Sequence, residues 1–270
     1  VGDEQQRRQQ PVAARAMGGQ QGVDLPGDVG HLTGHVGLGI LGGGLQTALW
    51  LLKQGAILTI TDMKSEEELA PSLATLEPFR DRIRLVLGRH DLSDVRAAEI
   101  VIFNPGVPLT SPLVRLAEKL GKRIENELTL FARFAPSAKF LAVTGTRGKS
   151  TTVNWLGHIL RSTYPGTVVA GNQSDKPLLK MIEACDPASP VVIETPSFLL
   201  ERESPPRFRP KVAVVTNVYR DHLNRYRSFR HYALTKARIF AHQRPSDVLI
   251  LNADNPWTEK FVALKPKARL

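Results

Sequence analysis

The chain has 270 residues, 42% of them hydrophobic and 23% charged, enough for one large or two ordinary soluble domains. One cysteine, Cys185, rules out an internal disulfide or a cysteine metal cluster and points to a reducing compartment, the cytoplasm. The formal charge of +10 invites a nucleic-acid reading, but the basic residues are scattered, without a long basic run or an aromatic-interleaved stripe. No nucleic-acid partner is therefore expected, and phosphorylated substrates explain the sign equally well.

Residues 1–35 are rich in Gln and Gly, have little apolar periodicity and hold one more acid than base. They predict a disordered tail, with the basic excess in the folded body. Residues 36–52, "VGLGILGGGLQTALWLL", approach the length of a membrane span. Their glycines, Gln46 and Thr47 fit a strand-turn-helix better, and no charged leader precedes a compact apolar core, so neither a membrane partner nor a secretory signal is expected. The turn fits Gly-x-Gly-x-x-Gly from Gly37 to Gly42 and is followed by a helix and a strand ending in Asp62, a weak dinucleotide fingerprint taken alone.

From there short apolar runs ("AILTITD", "IRLVLG", "EIVIFNPG") alternate with helical stretches closed by glycine, the pattern of a parallel sheet with right-handed crossovers. A break at residues 131–139, "FARFAPSAK", precedes a second such series: "FLAVTG", a helix from Lys149, "TVVAGN", "PVVIET", "KVAVVTN" and "DVLILNADN". Two α/β domains follow, over residues 36–135 and 136–270.

The second domain opens on strand, then Gly145-Thr146-Arg147-Gly148-Lys149-Ser150-Thr151, then helix. A strict P-loop would carry a glycine at position 143, where Val143 stands. The loop still offers what a phosphate needs: a glycine hinge, backbone N–H groups at a helix start, and a cation. Lys149 is placed for terminal phosphates and the Ser150 hydroxyl for Mg²⁺, while a plainly capped helix is the bland alternative.

The run Thr144-Gly145-Thr146-x-Gly148-Lys149-Ser150-Thr151 resembles the ATP loop of the Mur ligase family. "VVIETPSFLLE", "VVTNVYRDHLNRY", "YALTKARIF", "AGNQS" and "LILNADN" are similar to further family segments in the same order. In the first half, the glycine turn, "FNPGVP" and "ENELTLF" resemble the branch that adds D-glutamate. The resemblance implies a Rossmann-like N-terminal domain holding a UDP-linked substrate, followed by a P-loop α/β ATPase-type central domain, incomplete at its C-terminal end. It implies ATP and Mg²⁺ as cofactors, and UDP-N-acetylmuramoyl-L-alanine and D-glutamate as substrates of a monomer. ATP would phosphorylate the alanine carboxylate, and the amine would attack the acyl phosphate.

By the same resemblance Lys149, Glu194, His222 and Lys236 are catalytic. Ser150, Glu194, His222 and Lys236 surround metal, with Lys236 carbamylated so that it presents oxygen rather than a cation. Asn252 approaches adenine beside the loop residues Gly145 to Thr151. Gly42, Gly43, Asp62, Gly106 and Asn172 face the UDP substrate. The chain departs from the pattern at Pro196, where a serine is usual, and at Asn224, where an aspartate is. The family continues past the position of Leu270 to a domain that receives the amino acid, so these residues alone are expected to bind nucleotides poorly and ligate nothing. Alternatives are another Mur-type ligase and a nucleotide-binding module without catalysis.

Overall fold

The structure, a computed structural model, describes residues 32–38, 43–137, 139–202 and 208–270. Residues 1–31 of the expected tail, and Gly42 of the glycine turn, lie outside the described residues. The first half runs β1 (Leu32–Val36), α1 (Gly43–Lys53), β2 (Ile57–Asp62), α2 (Glu66–Leu76), β3 (Ile83–Leu87), α3 (Leu92–Ala97), β4 (Ile100–Phe103), α4 (Pro112–Lys119), β5 (Arg123–Glu125) and α5 (Glu127–Phe134). The second half runs β6 (Phe140–Thr144), α6 (Lys149–Arg161), β7 (Val168–Gly171), α7 (Leu178–Met181), β8 (Val191–Glu194), β9 (Val212–Val215), α8 (Phe229–Ala237), β10 (Val248–Leu251) and α9 (Thr258–Val262).

Local chemistry fixes where several helices start. Ser65 with Glu68, and Asn126 with Thr129, form reciprocal capping boxes at α2 and α5, while the Ser111 side chain caps α4 ahead of Pro112.

Each half builds one five-stranded parallel sheet, in the orders β3-β2-β1-β4-β5 and β10-β9-β6-β8-β7. In both, the first strand of the half lies in the centre. The chain must therefore leave that strand toward one side and return on the other, which opens a crevice at its carboxyl end. β1 corrects the expectation that the tail extends to residue 35. Its backbone pairs on both sides, Gly34 with Thr59 of β2 and with Val101 of β4. Two ladders hold a strand whose apolar run is broken by Gly34 and so reads poorly in the sequence.

The covalent link near residue 136 is not a gap in packing. One hydrophobic cluster joins Leu52, Leu58 and Ile60 of the first half to Leu178, Ile193 and Phe240 of the second. Helix α1 packs on α7, and the rings of Phe131 and Phe140 lie 6.0 Å apart across the link. Truncating either buried ring to alanine would cost about 3–5 kcal/mol by the usual cavity penalty.

Candidate functional site

The buried strand β6 delivers the chain to Gly145, whose φ of +152° and contact with Thr216 exclude a side chain: a Cβ there would overlap Thr216 Oγ1. The segment after β9 then fastens the loop. The Thr146 amide donates to the Asn217 carbonyl (2.9 Å), and the Arg147 amide donates to Asn217 Oδ1 (2.9 Å). The Arg147 carbonyl accepts from Thr216 Oγ1 (2.7 Å) and Asn217 Nδ2 (3.1 Å). Tyr219 donates its amide to Thr146 Oγ1 (3.0 Å).

The amides of residues 146 and 147 are thus committed to protein, which leaves those of the first turn of α6 for a ligand. Gly148 caps α6 without a side chain, and no acid stands in its first turn. Unpaired N–H groups and the helix dipole make this end attractive to an anion. Arg147, Ser150 and Thr151 lie exposed at its rim.

Behind the loop the charges converge. Lys149 Nζ donates to the Thr146 carbonyl (3.1 Å). Burial draws its pKa down, against the opposing pull of Glu194 and Asp221. Glu194 ends β8 and is only 2% exposed, with one long hydrogen bond from Gln173 Nε2 (3.5 Å). Gly171 at the end of β7 lies so close to the Glu194 backbone that a Cβ would overlap it. Lys236, 1% exposed, donates to the Gly145 carbonyl (2.9 Å) and sits 4.4 Å above the Tyr232 ring. Burial, then the charge of Lys149, push its pKa down to about 7, with Asp221 opposing. His222 holds a left-handed backbone (φ 51°), donates its amide N–H to Asp221 Oδ1 (2.8 Å), and its ring lies 5.9 Å from the Tyr232 ring. The Tyr232 hydroxyl reaches Thr146 Oγ1 (3.2 Å).

The loop, the end of β8, the 221–222 turn and α8 therefore form one site containing Lys149, Glu194 and Lys236, with His222 at its edge. Among the described residues no three of His, Cys, Asp and Glu converge as a ready-made metal cluster. The donors present nonetheless suit Mg²⁺. Glu194 is a buried carboxylate with little competition from hydrogen bonds, and Ser150 adds a hydroxyl. Lys236 cannot ligate as an ammonium, but an amine of depressed pKa is the form that reacts with CO₂.

Other expected residues sit further out. Asn252 donates Nδ2 to the Thr216 carbonyl (3.0 Å) and accepts from the Asp254 amide (3.0 Å), so in this structure it braces the segment that holds the loop. Asn172 is exposed on the turn after β7. In the first sheet, Asp62 ends β2 and accepts from the Lys64 amide (3.0 Å), Gly43 opens α1, and Gly106 donates its amide to Asn104 Oδ1 (2.9 Å) in the turn after β4. The sequence reading missed Asn217, Asp221, Tyr232 and Gln173. Tyr232 and Lys236 stand one helical turn apart, a spacing that could have paired them.

Two family descriptions match in tandem: the Mur ligase MurD-like N-terminal domain over residues 34–125, and the Mur ligase middle domain over residues 143–270. The chain belongs to the Mur ligase family. This Mur ligase chain is 41% identical over 235 residues to UDP-N-acetylmuramoylalanine--D-glutamate ligase of Borreliella burgdorferi (strain ZS7), a match covering 87% of the chain and 50% of that protein. It is 42% identical over 221 residues to the ligase of the same name from Roseiflexus sp. (strain RS-1), covering 82% of the chain and 47% of that protein. The chain spans about half the length of the curated relatives it matches. The crystal structure of UDP-N-acetylmuramate:L-alanyl-gamma-D-glutamyl-meso-diaminopimelate ligase from Neisseria meningitides shares the fold. Its TM-score is 0.58 at 16% identity, over 88% of this chain and 76% of that one.

Proposed function

We propose that this chain carries the ATP site and the UDP-substrate site of an ATP-dependent amide ligase that adds D-glutamate to UDP-N-acetylmuramoyl-L-alanine in peptidoglycan synthesis. The observation that carries the reading is the convergence of Lys149, Glu194 and Lys236 on a glycine loop at the start of α6. Identity near 40% to D-glutamate-adding ligases supports the choice of substrates.

In this reading the first-turn amides of α6 and the ammonium of Lys149 hold the terminal phosphates of ATP. A carboxylate oxygen of the alanine attacks the γ-phosphorus and ADP leaves. The D-glutamate amine then attacks the acyl carbon, and phosphate departs as the amide forms. Charge builds on phosphate oxygens as the transfer proceeds, so fixed cations aimed at them lower the barrier. Mg²⁺, when bound, adds positive charge at those oxygens, and Ser150, Glu194, His222 and carbamylated Lys236 are the groups that would hold it. Asp221 fixes the backbone of His222 and places negative charge beside both lysines. Asp62, Gly43 and Gly106 line the path for the UDP portion.

The enzyme works as a cytoplasmic monomer in this reading. Among the described residues no helix is long and apolar enough to cross a membrane. Differential scanning of the chain with Mg·ATP, UDP-N-acetylmuramoyl-L-alanine and NAD tests the assignment, since a ligand that binds only the folded state raises its melting temperature. Shifts with the first two and none with NAD are expected. A shift with NAD alone would replace the ligase reading with a dehydrogenase one.

A further inference from the structure

Glu127 takes no part in the chemistry above, yet its placement is unusual for a carboxyl group. It is the first residue of α5, is 8% exposed, and has no hydrogen-bond or ion-pair partner among the described residues. It faces the start of α1 directly: a Cβ built on Gly43 would lie 3.2 Å from Glu127 Oε2. The two residues line a recess with Gly44, Thr47, Phe103 and Asn104, at the carboxyl end of β4 beside the central strand. That is the crevice where a sheet of this topology takes its ligand. The first turn of α1 contains no acid, so its N-terminal amides favour an anion. An ionised carboxylate beside them would repel that anion, and a protonated one would instead add a donor.

We propose that Glu127 is a ligand-binding residue of the first sheet which, as a neutral carboxylic acid, donates a hydrogen bond to a phosphate oxygen of a nucleoside-diphosphate sugar seated on the N-terminus of α1. This rests on the UDP-substrate reading above and adds a recognition group to it. Its physical support is independent of the ATP site. Burial alone raises the pKa of Glu127 to about 7. Among the described residues no other charged or titratable side chain lines the recess, whether from α1, from β4 and its following turn, or from α5. Binding through the acid form makes affinity fall as pH rises past that value, tenfold for each further unit once the group is mostly ionised.

Calorimetric titration of the chain with UDP-N-acetylglucosamine, whose diphosphate diester keeps its charge near neutrality, tests this. Between about pH 6 and about pH 8.5 the dissociation constant should rise about thirtyfold in the unaltered chain. In Glu127→Gln, which keeps a neutral donor, it should stay flat. Carbon-13 NMR of labelled glutamate, which needs no variant, should show the Glu127 carboxyl titrating at higher pH once the nucleotide is bound. Affinity independent of pH, with no ligand-induced movement of that titration, would overturn the role of Glu127 and leave the substrate reading standing. Absence of UDP-sugar binding at both pH values would overturn the substrate reading itself, and this proposal with it.

Discussion

Helices α1 and α6 each follow the central strand of a five-stranded parallel sheet, and each starts on glycine, Gly43 within the first turn of one and Gly148 capping the other. Neither has an acid in its first turn, so both starts attract anions. What lies beneath them differs in sign. Under α6 are Lys149 and the buried Lys236, with Glu194 and Asp221 near enough to act on Lys149. Under α1, among the described residues that line the recess, the one charged or titratable group is the carboxyl of Glu127. The glycine-and-helix turn therefore states only that phosphate is welcome. In the proposed reading, the charged side chains gathered beside it set how much charge the site tolerates: a triphosphate with metal at α6, and a diester at α1.

The largest expected effects set the two turns against each other through pH. Lys236 has its pKa lowered from 10.5 to about 7, so between those values the unfolded chain binds more protons, and stability rises with pH. Glu127 has its pKa raised from 4.5 to about 7, so between those values the folded chain binds more protons, and stability falls as pH rises. Denaturant unfolding should show Lys236→Met removing a rise on the order of 5 kcal/mol above pH 7. Glu127→Gln should remove a fall on the order of 3 kcal/mol below it. Slopes unchanged in both variants would mean that neither group is held as described.

Next in size is Lys149→Ala. Loss of the Lys149 ammonium at the head of α6 should weaken Mg·ATP binding about 100-fold, in line with a charge-assisted contact. UDP-sugar affinity should hold, because α1 does not use that lysine; calorimetry with each ligand separates the two effects. The smallest is Asn217→Ala, which removes both side-chain bonds to Arg147. Mg·ATP affinity should drop about tenfold at nearly unchanged melting temperature, since the loop is left less ordered while the core is untouched.

Much of this arrangement was legible in the sequence, for physical reasons. Parallel strands buried on both faces read as apolar runs, and glycine or a capping residue marked the helix ends. The loop at Gly145 and the acid ending β8 stood out as candidates because each sits in a local run of residue types. β1 reads as a poor strand because Gly34 interrupts its apolar run, so the tail boundary fell too late, while the two backbone ladders that hold it are nonlocal. Glu127 was hidden differently. In "ENELTLF" it reads as the acid expected in the first turn of a capped helix, and only the fold places it opposite Gly43. Asn217 was likewise quoted as part of a motif, but its grip on Arg147 depends on the neighbouring of β6 and β9.

The assignment of different ligands to the two helix starts is tested most directly by amide chemical shifts of the nitrogen-15-labelled chain, titrated first with Mg·ATP and then with a UDP-sugar. Mg·ATP should move the amides of Gly148, Lys149, Ser150 and Thr151 and leave Gly43 and Gly44 in place, and the UDP-sugar should then move Gly43 and Gly44. Movement of Gly43 and Gly44 by Mg·ATP, with the start of α6 unaffected by either ligand, would contradict it.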